Sequence, residues 1–239
     1  MALTTWPVRD HLSKWYGRVE YCLRPGLSRR RGGPFNGQVL RQACYGELLR
    51  KFGFDAIIET GAYRGITTKL FAESNVPVYS IETNPRFAAY AETRLRIHRN
   101  AQVLLGDSRA RLRDLAADPS VPKQNVFFYL DAHWYDDLPL LEEVQIINSA
   151  WQGWIAMVDD FEVPGSDYAF DDYGPGKALT LSYLQPAIDE GLSVFFPRHP
   201  AQSETGARRG SVVICNDVAV QQMLEQCRSL TAAREPVGV

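Results

Sequence analysis

A chain of 239 residues is long enough for one substantial core and falls within the single-domain range of α/β folds. Its 26 basic and 28 acidic residues leave a formal charge of -2, which argues against a general electrostatic affinity for nucleic acid or anionic membranes and points to a small-molecule partner. No run reaches the roughly 18 apolar residues of a membrane span and no signal arrangement opens the chain, so a cytoplasmic protein is expected; Cys22, Cys44, Cys215 and Cys227 are scattered, as reduced structural thiols are.

Residues 1–33 hold the run Arg29-Arg30-Arg31-Gly32-Gly33, read as a solvated basic turn. Pro34-Phe35-Asn36-Gly37-Gln38 then leads into a helix over 39–51, whose Leu40, Leu48 and Leu49 face a sheet. From Phe54 the chain alternates short apolar runs with amphipathic stretches, the rhythm of a parallel sheet covered by helices on both faces. Strands are predicted at 55–59, 76–82, 102–106, 126–131 and 154–158, and helices at 67–74, 85–98, 108–117 and 138–150. A glycine- and proline-punctuated loop precedes a helix near 177–190. Runs 192–196 and 211–215 pair as an antiparallel hairpin, and a last helix covers about 218–230. The fold class is α/β, a Rossmann-like doubly wound, mostly parallel sheet of seven strands with an antiparallel C-terminal hairpin.

Between the first strand and its helix lies Glu59-Thr60-Gly61-Ala62-Tyr63-Arg64-Gly65. Gly61 and Gly65 lack a Cβ, which suits a sharp turn and close approach of a nucleotide-like ligand to helix N–H groups. Nearly every strand ends in a carboxylate: Glu59, Glu82, Asp107, Asp131 and the pair Asp159-Asp160. In an open parallel sheet this is the edge where ligands bind. Glu82 follows Gly61 by 21 residues, the distance at which an acid reaches ribose hydroxyls, and Asp107 with Ser108 is placed to accept from an adenine amine. A helix N-cap is the alternative role for Asp107.

With Glu59-Thr60-Gly61 and Gly65, Ile81-Glu82, Gly106-Asp107 and Leu130-Asp131 in these places, the stretch 54–215 resembles the class I S-adenosylmethionine-dependent methyltransferases. The resemblance implies S-adenosylmethionine as cofactor, bound by Glu59, Thr60, Gly61, Tyr63, Gly65, Glu82, Asp107, Ser108 and Asp131. It divides the chain into an N-terminal helical extension over 1–53 covering the cofactor site, with Gln38 or Arg41 at the methionine end, and a methyltransferase domain over 54–239. Asp131 and, 28 residues on, Asp159-Asp160 look like the ligand set of metal-dependent O-methyltransferases of the catechol and macrolide-sugar kinds. That likeness makes Asp131, Asp159 and Asp160 ligands of Mg²⁺, whose role is to acidify a bound hydroxyl.

Catechol-type members carry a lysine after the first ligand, where this chain reads His133-Trp134-Tyr135. His133 is the expected general base, acting beside Asp131, with Trp134 and Tyr135 as pocket walls. The loop 167–177 reads as a substrate lid, and Arg208-Arg209 in the hairpin connection as an anion contact or a solvated pair. The expected activity is methyl transfer to an oxygen of a small hydroxylated metabolite, a sugar or a phenol. The alternatives are a metal-independent N- or O-methyltransferase, a nicotinamide-dependent oxidoreductase on the same sheet, and a catalytically inactive binding protein. The expected partners are a small-molecule acceptor, no nucleic acid and no membrane, and a homodimer is compatible with the sequence.

Overall fold

Five apolar runs form adjacent parallel strands: β1 (Ala56–Thr60), β2 (Val78–Glu82), β3 (Ala101–Leu105), β4 (Val126–Leu130) and β5 (Ile155–Asp159). The structure, a computed structural model, describes residues 6–24, 26–27, 32–133 and 137–233. Beyond β5 lie β6 (Ser193–Pro197), β7 (Ser211–Cys215) and β8 (Leu230–Ala232), giving the order β3-β2-β1-β4-β5-β7-β6-β8. β7 is antiparallel to both β5 and β6, which is the expected hairpin. The sheet has eight strands among the described residues, not the seven expected. The extra one arises because the last helix, α8 below, stops at Glu225, so that residues 230–232 are free to pair with β6.

The strands read as unbroken apolar runs because both faces are covered. The helices after the N-terminal pair are α3 (Ile66–Ala72), α4 (Pro85–Leu95), α5 (Ser108–Ala117), α6 (Leu140–Ala150), α7 (Leu181–Asp189) and α8 (Val218–Glu225). Ile58, Phe128, Leu130, Ala156 and Val158 point into one core with Leu112 of α5, Val144 and Ile147 of α6, and Trp151 and Trp154. Their neighbours Ile57, Phe127, Tyr129, Ile155 and Met157 point the other way, against Phe35 and Phe71. Alternation along each strand thus divides the interior into two layers.

Residues 1–53 contribute α1 (Trp6–Leu23) and α2 (Val39–Phe52). Cys44, Tyr45 and Leu48 of α2 enter the second core directly. α1 lies across α4, so closely that a Cβ on Gly17 would sit 2.1 Å from the Arg86 carbonyl oxygen.

Pairing is in register where it matters for function. Thr60 is level with Leu130, and Leu130 with Val158, so the residues following β1, β4 and β5 emerge in one row. Strand order reverses between β1 and β4, the switch point at which such sheets open a crevice. There Gly61, at φ +88°, packs against the next loop: a Cβ would lie 2.1 Å from the Asp131 carbonyl oxygen. Gly61→Ala therefore combines left-handed strain with a backbone clash. It should destabilise the protein by about 3 kcal/mol or more in denaturant unfolding; a loss under half of that would mean that the two loops separate easily.

Candidate functional site

At the carboxyl edge of β4 and β5 the chain brings together Asp131, His133 and Asp160, whose ligand atoms all lie within 4.8 Å of one another. His133 Nε2 is 3.8 Å from Asp131 Oδ1, 3.8 Å from Asp160 Oδ2 and 3.5 Å from Asp171 Oδ2. The ring is buried and Nε2 has no hydrogen-bond partner among the described residues. Burial alone would lower the His133 pKa, but the facing carboxylates of Asp160, Asp131 and Asp171 reverse this and raise it. Asp131 is pushed up by burial and by Asp160. Burial also pushes on Asp160, yet His133 and Arg209 win and hold it low.

Asp160 sits at φ +53°, a left-handed turn that swings its side chain away from that of Asp159. Its Oδ1 accepts from Arg209 Nε at 2.7 Å, and Arg209 Nη2 also donates to Asp171, which accepts from the Tyr173 hydroxyl as well. The loop 167–177 is tied to its neighbours: Asp171 N donates to the Asp160 carbonyl at 2.8 Å and Gly210 N to the Ala169 carbonyl at 2.7 Å. Asp171 thereby joins the cluster, a position that the sequence placed only in a lid. Trp134 and Tyr135, the expected walls, lie outside the described residues.

Asp159 is not brought to this group. As the last residue of β5 it continues the face of Met157, where it is fully buried, forms an ion pair with Arg41 and accepts from the Tyr129 hydroxyl at 2.5 Å. The strand period of two sends adjacent aspartates to opposite sides, and the sequence expectation of a three-aspartate set fails for that reason. His133 takes the third place.

Gln38 and Arg41 are likewise committed within the protein. Gln38 exchanges two hydrogen bonds with the Arg209 backbone, at 2.7 and 3.0 Å, and Arg41 Nη2 donates to the Arg209 and Gly210 carbonyls. Glu204, buried in the hairpin connection, accepts from Leu40 N at 3.0 Å and Arg41 N at 3.1 Å, capping α2. Its distance in sequence from α2 hides this role. The cavity beside these residues, lined by Gln38, Arg41, Tyr168, Glu204 and others, measures about 20 Å³, room for about one water.

The glycine turn is held from three sides. Glu82 Oε2 accepts from Tyr63 N at 2.7 Å and Oε1 from Asn84 N at 2.7 Å, while burial pushes its pKa up to about 7. Tyr63, at φ +47°, packs edge-on against Phe87 with ring centroids 4.5 Å apart, and Arg64 lies over its ring at 4.5 Å. Arg64 is buried and reaches Glu20 of α1 at 3.5 Å; Glu20 also takes two hydrogen bonds from Arg86, at 3.0 and 2.5 Å. The end of the turn abuts α4, since a Cβ on Gly65 would lie 3.0 Å from Ala91 Cβ. Gly61 and Gly65 thus have packing reasons as well as the expected ligand-approach reason.

Glu59 lies beneath the turn, accepting from the Thr68 and Ser80 hydroxyls. Asp107 caps α5 through Ala110 N at 3.2 Å, and Arg109 grips it with bonds of 3.2 and 2.7 Å while also holding Asp137. Its pKa is lowered, chiefly by that Arg109 bond. The capping role is therefore filled. Ser108 is buried beside a group absent from the sequence reading, Glu143 of α6, and partly offsets the rise that burial imposes on its pKa. Glu143 takes a 3.5 Å bond from Thr60 Oγ1, its Oε1 has no partner among the described residues, and burial pushes its pKa up to about 7. Its spacing from Leu140 and Ile147 is that of an inward helix position, the signal that would have found it.

Burial pushes the Glu59 pKa from 4.5 to about 7. Between these values the unfolded chain ionises while the folded one keeps its proton, so this group makes stability fall as pH rises through that window and adds no slope outside it. Glu59→Gln should remove a fall of about 1.4 kcal/mol per pH unit over that interval. Unfolding free energies across the interval check this; an identical slope in the variant would show that Glu59 is ionised in the fold.

No protein-family model matches the chain, and no curated protein matches it in sequence. Among solved structures it is similar to the O-methyltransferase TomG from Streptomyces achromogenes, involved in tomaymycin synthesis and solved in complex with SAM, at 16% identity and a TM-score of 0.56, over 74% of this chain and 79% of that one. It is also similar to the O-methyltransferase from Bacillus cereus in complex with SAH, at 15% identity and a TM-score of 0.55, over 74% and 81% of the two chains. What these structures share with the chain is the fold: an α/β sheet of the kind on which O-methyltransferases are built.

Proposed function

We propose that the chain is an S-adenosylmethionine-dependent O-methyltransferase that acts on a small hydroxylated molecule, a sugar or a phenol, with a divalent cation held by Asp131, His133 and Asp160. The observation that carries this reading is the buried His133 Nε2, without a hydrogen-bond partner among the described residues and 3.5 to 3.8 Å from three carboxylates. Such spacing is too long for hydrogen bonds yet suits donors around a shared cation. Two carboxylates and an imidazole accept Mg²⁺, the expected ion, and suit Mn²⁺ at least as well, because nitrogen is a softer donor.

The glycine turn and Glu82 are the proposed seat of the methyl donor, with Glu82 accepting from ribose hydroxyls and Asp107 and Ser108 at the adenine end. Bound, the donor supplies an electrophilic methyl group and the cation lowers the pKa of a coordinated hydroxyl. The chain's own part is positioning. Asp131 stands next to the turn through the Gly61 contact, Arg209 orients Asp160 and Asp171, and Glu20 braces Arg64 behind Tyr63. Residues 1–53 would then cover the donor by way of α1, while Gln38 and Arg41 support the site from behind.

A metal-independent transferase is the second reading, favoured by one observation: Arg209 already pairs with Asp160 and Asp171. Titration calorimetry with S-adenosylmethionine should show binding that Glu82→Gln weakens about tenfold or more; unchanged affinity would remove Glu82 from the site, and no binding at all would sink the assignment. A chelator should abolish methyl transfer, with Mn²⁺ or Mg²⁺ restoring it, and Asp160→Asn should weaken cation binding at least about tenfold. Full activity in chelator would select the second reading.

A further inference from the structure

The outward face of α1 is apolar, the reverse of what a surface helix ordinarily presents. Leu12, Trp15 and Leu23 are 63, 62 and 74% exposed, and Tyr16 is exposed beside them. Spacings of three, four and seven residues set them on one stripe. The inner face is already committed: Gly17 lies against the Arg86 carbonyl, and Glu20 is buried between Arg64 and Arg86. Leu12, Trp15 and Leu23 thus stand apart from what fixes the helix to the domain, whereas Tyr16 lies 4.5 Å beneath the Arg86 guanidinium.

Charge identifies what covers it. Glu20 is buried and neutralised, so Asp10 is the other carboxylate among the helix's described side chains. Lys14, Arg18 and Arg24 outnumber it; Arg18 and Arg24 are well exposed, Arg18 also pairing with Glu92 at 3.6 Å and Arg24 lying 4.0 Å from Glu20. This cationic excess stands on a chain whose net charge is -2. Two copies paired through the stripe by a two-fold axis would bring like-charged flanks together. An anionic lipid surface accommodates both features, taking Leu and Trp side chains into the headgroup boundary while the basic side chains meet lipid phosphates. No described helix is long and apolar enough to cross a membrane.

We propose that α1 is an interfacial helix that docks this protein onto anionic lipid surfaces through Leu12, Trp15 and Leu23. Net charge alone predicts no membrane affinity for the chain, and α1 departs from that average locally. Docking would also place lipid one ion pair, Glu20–Arg64, from the glycine turn.

The test is flotation of the full chain with phosphatidylcholine vesicles, with and without phosphatidylglycerol. Binding to the phosphatidylglycerol vesicles is expected, weakened by salt. Leu12→Ser with Trp15→Ser should weaken it at least about tenfold, and Arg24→Ala about fivefold. Brominated lipid should quench the tryptophan fluorescence of the unmodified protein, and Trp15→Phe, which keeps the helix apolar, should remove most of that quenching. Absence of binding to anionic vesicles, or binding and quenching that none of these variants changes, would overturn the proposal. So would a dimer in sedimentation that Leu12→Ser with Trp15→Ser dissociates, since that would assign the stripe to a second copy.

Discussion

Arg41 is the point on which the carboxyl edge of the sheet depends. Its guanidinium is buried against the equally buried Asp159, and it also donates to the carbonyls of Arg209 and Gly210. One side chain on α2 therefore fixes the end of β5 and the start of β7 together. Losing one partner of such a buried pair costs about 3–5 kcal/mol, because the other charge is stranded. The pair carries more than stability. With Asp159 held inward, the chain must turn at Asp160 through a left-handed conformation, and that turn presents Asp160 to His133 and Arg209. Glu204 completes the frame by capping the helix from which Arg41 projects.

The sheet was legible because burial on both faces leaves apolar runs with little ambiguity, and because strand ends in such sheets announce themselves with carboxylates. Glu59, Glu82, Asp107, Asp131 and Asp160 do stand at that edge. Their individual roles were less legible. Asp159 and Asp160 look alike in sequence, and only the pleat of β5 and the positive φ that follows separate the anion paired with Arg41 from the one that faces His133 and Arg209. Asp107 carried two readings, and the geometry fills the capping one through Ala110. Glu204 escaped assignment, and Asp171 was read only as part of a lid and Arg209 only as an anion contact or a solvated residue, because their partners lie far along the chain, in contacts that no local pattern encodes. Glu143 was readable in principle, as a charge at an inward position of α6.

The N-terminal segment shows the same limit from another side. Tyr63 and Arg64 of the glycine turn find partners on α1 and α4, which the sequence of the turn itself does not show. Glu20 neutralises Arg64, and Phe87 supports Tyr63. A turn that seems permissive in sequence is thus braced by a helix more than forty residues upstream. Its preorganisation depends on an element with no part in the sheet.

The contact between Gly61 and the Asp131 carbonyl has a consequence for how this site can change over time. Gly61 touches the main chain of the 131–132 loop, which every residue carries, so no substitution in that loop makes room for a side chain at 61. Replacement of Gly61 is therefore expected to be rejected whatever stands at 131–132. Diversification of the site is channelled instead toward the 167–177 loop away from Asp171, since backbone bonds of Ala169 and Asp171 hold the loop to the sheet edge while the Asp171 side chain is committed to Arg209.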